Sequence, residues 1–186
     1  MAVRHGFKAF AERKAVDLRA KIGLSPLDRL EPEKLCDHFE IPLLRMSELN
    51  CDSSRFAGND NDKFSAMTVQ VGMVAGIVHN DSHHIFRQRS NICHELAHCF
   101  LGHRGCTIMN DNGTRSYDST IESEASLLGG ALLLPKEAAL HILMEGLASR
   151  AQFIYGISRP MLTYRLRMSG AQIIFERKLA KLRAAE

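Results

Sequence analysis

Ile92-Cys93-His94-Glu95-Leu96-Ala97-His98-Cys99-Phe100-Leu101-Gly102 decides how the rest of this chain is read. It contains an H-E-x-x-H pattern running from His94 to His98. On a helix that advances about 100° per residue, positions four apart differ by about 40°, so both imidazoles leave the same face roughly 6 Å apart along the axis. Two ring nitrogens so placed can share one zinc ion at about 2.0–2.1 Å. Glu95 lies beside His94 and can reach a water on the metal without ligating it. The same residue types also suit an ordinary helix surface, so the flanking sequence has to separate the two readings.

Upstream, two β-prone runs over 64–71 and 73–79, joined around Gly72, read as a hairpin. Asp81 or Ser82 is placed to cap a helix over about 82–101, which Gly102 ends. Further back, 5–22 sets Phe7, Phe10, Ala11, Val16, Leu18 and Ile22 among charges and suits an amphipathic helix. A short helix over 33–39 is introduced by Pro32, 41–44 looks extended, and 50–63 is a polar loop. Downstream, 104–120 reads as a loop long enough to suggest a functional segment. A helix over about 121–134 follows despite Gly129 and Gly130, and Pro135 opens another to about 147. Helical patterns over 149–155 and 158–168 flank a Gly156-Ile157 turn, with a closing strand or helix after Gly170. Helices around one small antiparallel sheet make an α+β domain, with a core over 1–148 and a basic helical extension over 149–186 packed on it.

A third metal ligand should come from a second helix, and Glu122 lies 24 residues after His98. Glu122 and Glu124 are two apart, so they diverge by about 200° and cannot both face one ion. Glu122 is the better placed, because Ser126 then falls one turn later, where it can hydrogen-bond a ligand histidine from behind.

With 186 residues, 45% hydrophobic and 24% charged, the chain has globular composition, which excludes a disordered chain, a collagen-like repeat and a disulfide-dense miniprotein. Its first ten residues lack the apolar run of a secretory signal, and the oily stretch 127–135 is too short for a bilayer, so a soluble, cytoplasmic protein without a membrane is expected. Five cysteines without C-x-x-C spacing suggest neither a disulfide framework nor a zinc ribbon. From Arg150 onward eight Lys and Arg residues face only Glu176 and Glu186, a net of +6, while the remainder nets −3. Such a tail suits a polyanion, nucleic acid first, or a solvated helical face.

Arg87-Gln88-Arg89, then His94-Glu95-Leu96-Ala97-His98, then Leu101-Gly102-His103, and later Glu122-Ser123-Glu124-Ala125-Ser126 with Gly130-Ala131-Leu132-Leu133-Leu134-Pro135, resemble the ImmA/IrrE family of metallopeptidases. Members carry an H-E-L-[AG]-H helix, then L-G-H, then an E-x-E-A-x-x-x-A-x-L-L-x-P helix. The resemblance is strongest over 64–135, and the first helix with its Leu24-Ser25-Pro26 turn is similar too. It implies a compact, gluzincin-like fold with His94, His98 and Glu122 as zinc ligands and Glu95 as catalytic base. It implies cleavage of helix-turn-helix repressors that silence mobile-element, DNA-damage or anti-phage genes. CapP-like members of anti-phage operons pair with a dedicated repressor and respond to damaged or single-stranded DNA, a role that the basic tail and the near helix-turn-helix spacing of 149–168 suit. At Ser126 the chain departs from the Asn or Asp usual in the family.

Other residues divide between roles. Tyr117 and His103 are candidates for the donor that steadies the developing oxyanion. The free edge of the hairpin can hold a peptide by strand addition. Cys93 and Cys99 sit about 100° off the metal-facing direction and read as core. Cys106, eight residues past His98, can take the fourth zinc position at about 2.3 Å and hold an enzyme latent, or be a plain loop cysteine. His83 and His84 read as residues that cap or solvate a helix start, and Arg87 and Arg89 as partners of carboxylates or substrate backbone, or as a solvated face. The rivals to a peptidase are a zinc-stabilised sensor that binds a repressor or nucleic acid without cutting, and a hydrolase of small amides. A complete Glu95 favours an enzyme, since structural zinc needs no base.

Overall fold

A computed structural model of the chain describes residues 3–49, 64–71, 74–103 and 118–184. In chain order its elements are α1 (Phe7–Lys21), α2 (Pro32–His38), β1 (Leu43–Arg45), β2 (Ala66–Val71), β3 (Val74–His79), α3 (Ile85–Leu101), α4 (Ser119–Leu133), α5 (Lys136–Met144), α6 (Ala151–Tyr155), α7 (Arg159–Met168) and α8 (Ala171–Arg183). Helices dominate and one small sheet accompanies them, an α+β domain.

A helix that is apolar all round has no face to give to water and must be enclosed. The C-terminal half of α4 is such a stretch, with every residue from Leu127 to Leu133 buried. α3 and α1 pack against it, α1 through Phe7, Ala11, Ala15 and Leu18, which recur at helical spacing. Gly129 sets how closely α3 approaches. A β-carbon there would stand 2.8 Å from the Cys93 carbonyl oxygen and 3.1 Å from the Cα of His94, so the two backbones touch at the turn that carries His94.

The C-terminal end of α4 brings buried carbonyls that its own helix cannot satisfy. Arg19 donates to the Leu132 carbonyl at 2.7 Å, and Arg165 donates to the Leu134 carbonyl at 2.8 Å and to Glu12 at 2.6 Å. Both guanidinium groups are buried, which is tolerable because acceptors surround them and the end of a helix favours positive charge. Arg89 is buried as well, donating to Glu31 and to the Leu30 carbonyl. It staples the α2 entry to α3, whereas Arg87 reaches Ser65 Oγ at 3.3 Å on the exposed side.

The sheet differs from the all-antiparallel expectation. Its order is β1-β3-β2, with β2 and β3 antiparallel as a hairpin and β1 parallel to β3, Leu43 opposite Ile77. The hairpin inserts its second strand between β1 and β2, and the direction of a three-residue strand leaves no periodic trace in sequence. The cap of α3 differs too. His84 Nδ1 accepts from the Phe86 backbone N–H at 3.2 Å, while Asp81 accepts from Ser47 and Ser82 donates to Asn80. Gly102 ends the helix in the left-handed region, φ 65°.

After Gly170 the chain continues as helix rather than strand. α8 packs on α5, and α7 packs on α4, α5 and α8. Arg165 belongs to the core, but Arg159, Arg167, Arg177, Lys178, Lys181 and Arg183 face solvent on α7 and α8. No single described helix is long and apolar enough to cross a membrane.

Candidate metal centre

α3 and α4 meet at three side chains. His94 and His98, one turn apart on α3, bring their Nε2 atoms to 3.1 Å, and Glu122 Oε2 from α4 lies 3.1 Å from His94 Nε2 and 3.7 Å from His98 Nε2. These separations bracket the roughly 3.3 Å between two ligand atoms of a tetrahedral ion bonded at about 2.0–2.1 Å. Two imidazoles and a carboxylate, converging from buried or half-buried positions, are a donor set that zinc takes with an open fourth position. The fit therefore holds in both spacing and chemistry.

Glu95 is 4% exposed and is not one of the three residues whose ligand atoms converge, and Thr68 Oγ1 of β2 donates to its Oε2 at 2.8 Å. The contact ties the carboxylate of the residue that follows ligand candidate His94 to a strand. β2 is an edge strand among the described residues, so the sheet edge adjoining the site is β2, with β3 covered on both sides.

The residues that match a known family are those that form this geometry. Peptidase_M78, described as the IrrE N-terminal-like domain, matches residues 36–167, which include both helices of the triangle and the whole sheet. The chain belongs to this family. It is thereby a peptidase of the IrrE/ImmA type, a zinc-dependent class, and the resemblance carried by the HELAH and E-x-E-A stretches stands. The comparison with curated proteins returned no match.

In this family member the two glutamates of α4 part as their spacing requires. Glu122 faces the histidines, whereas Glu124 is buried and accepts two hydrogen bonds from Arg4, at 2.7 and 2.6 Å. That bidentate contact holds the Glu124 carboxyl below the usual carboxylate range and raises the Arg4 guanidinium.

His103 differs from its expected place. It lies behind His98, Nδ1 to Nδ1 at 3.1 Å, with its Nε2 3.7 Å from Glu124 Oε2. Standing on the far side of a ligand ring, it cannot serve as an oxyanion donor across the ion. Burial pushes its pKa below the ordinary imidazole value, against the pull of Glu124. Ser126 also differs. It lines a cavity of about 200 Å³ beside His94, with Ser90, Gly129, Gly130, Met161 and Tyr164, and the group behind a ligand histidine is His103.

Cys93 is buried against the α4 interface, and burial raises its thiol pKa. Cys99 is half-buried, 4.0 Å from Thr68 Oγ1, and likewise raised by burial. Neither enters the triangle, as their angular positions require. Cys106 and Tyr117 lie outside the described residues. Arg4, Thr68 and the buried role of Glu124 are the contributions that sequence reading missed. The second glutamate of E-x-E-A was the one visible signal.

Proposed function

We propose that this chain is a zinc endopeptidase that cuts a partner helix-turn-helix repressor and so releases stress, DNA-damage or anti-phage genes, in the manner of CapP-like proteins. The observation that carries the reading is the His94–His98–Glu122 triangle, with Glu95, next to His94 in the chain, held by Thr68. A divalent cation in the triangle, when bound, supplies Lewis acidity to water and to the scissile carbonyl. Glu95 takes a proton from the attacking water at its carboxylate and returns it to the amine nitrogen as the C–N bond breaks. One water is consumed, and one carboxylate and one amine are formed.

An extended repressor segment adding to the β2 edge runs past Thr68 and hence past Glu95. The cavity beside His94 then takes a side chain next to the cleaved bond. In this reading the exposed basic residues of α7 and α8 receive a single-stranded DNA activator. Cys106 serves as an inhibitory fourth ligand, and the protein works in the cytoplasm.

Co-incubation with the transcription factor encoded beside it tests the proposal, with and without single-stranded DNA, using wild-type and Cys106→Ser protein. The expected result is cleavage at one site, faster with the DNA and independent of it in Cys106→Ser. Equal activity of the two proteins without DNA removes the latency mechanism. Stoichiometric binding without cleavage marks a non-proteolytic sensor instead.

A further inference from the structure

We infer that His103, Glu124 and Arg4 are positioning residues for His98, so that the segment preceding α1 forms part of the metal centre; this rests on the metal-binding reading above. Two imidazole nitrogens 3.1 Å apart hydrogen-bond only when one carries a proton and the other does not. His98 directs Nε2 at His94 and Glu122, so as a ligand through that atom it keeps its proton on Nδ1 and donates to Nδ1 of His103. His103 is then the tautomer protonated at Nε2, the nitrogen that faces Glu124 Oε2 at 3.7 Å. Glu124 also accepts from Arg4, Nε to Oε1 and Nη2 to Oε2.

Donation therefore runs outward from His98 through His103 toward Glu124, and the carboxylate is met from the other end by the Arg4 guanidinium, which donates to it. Carboxylate-to-histidine support of this kind fixes ring orientation and raises ligand basicity. Here one imidazole is interposed, and the terminal charge comes from a residue 120 positions away. Glu124 and His103 side chains are 3% and 9% exposed, while Arg4 is 70% exposed. The outermost link can thus be cut without touching the core.

Competition of the zinc-loaded protein against a chromophoric chelator tests the inference without any substrate. His103→Leu should weaken zinc by about 10–100-fold, and His103→Asn, which keeps an acceptor near the Nδ1 position, should recover most of that loss. Arg4→Ala, its folding checked by thermal unfolding because Glu124 loses its bidentate partner, should weaken zinc by about two- to fivefold, and this effect should vanish in the His103→Leu background. Imidazole nitrogen NMR of the loaded protein should place the His103 proton on Nε2. Zinc affinity unchanged by all three variants, an Arg4→Ala effect undiminished in the double variant, or a proton on His103 Nδ1 would overturn the inference while leaving the metal centre in place. A wild-type protein that binds no zinc would overturn both.

Discussion

Glu95→Gln protein is expected to keep its zinc and lose peptide hydrolysis by about 10²–10⁴-fold, the range that a positioned general base contributes. The amide has nearly the shape of the carboxylate, and its oxygen still accepts from Thr68 Oγ1, so the side chain keeps its place. Glu95 is buried, so removing its charge does not lower stability through desolvation. What is lost is the ability to take a proton from water. Thr68→Val should be milder, because the base survives and only its orientation is released. Zinc content and initial rate, measured on the same preparations, check both. A Glu95→Gln protein with more than a tenth of wild-type activity would remove Glu95 as the base.

Gly129→Ala is expected to cost about 1–3 kcal/mol of stability, the usual range for overpacking a tight interior contact. All three near neighbours of the new methyl are backbone atoms of Cys93 and His94, so no side chain can rotate out of its way. α3 and α4 must separate, and the separation falls where His94 faces Glu122. Zinc affinity should therefore drop with stability, although Gly129 is not a ligand. Gly146→Ala is the matching control. It forces a left-handed residue, φ 64°, into side-chain strain of roughly 1–2 kcal/mol but lies beyond the end of α5. Thermal unfolding with and without zinc separates the two. A Gly129→Ala protein with wild-type zinc affinity would mean that this helix contact does not set the ligand geometry.

What sequence made legible was whatever repeats along one helix. His94 and His98 share a face by their spacing, and the same arithmetic turns Glu122 toward them and Glu124 away. That α4 is helical was legible despite Gly129 and Gly130. What sequence concealed were partnerships between distant elements. Thr68 and Glu95 are 27 residues apart, Arg4 and Glu124 are 120 apart, and neither pairing follows from a period. Arg19, Arg89 and Arg165 are charges by composition, yet each is buried among carbonyls that only the assembled fold brings together. His84 caps α3 with a ring nitrogen, as its place at the helix start allowed, while Asp81 and Ser82, the other cap candidates, bond elsewhere.

Elemental analysis of protein purified without chelators, for wild type, Glu122→Ala and Glu124→Ala side by side, tests the metal centre most directly. The expected result is one zinc per wild-type chain, none held by Glu122→Ala, and one held more weakly by Glu124→Ala. A wild-type protein free of zinc, or Glu122→Ala retaining an equimolar ion, would contradict it.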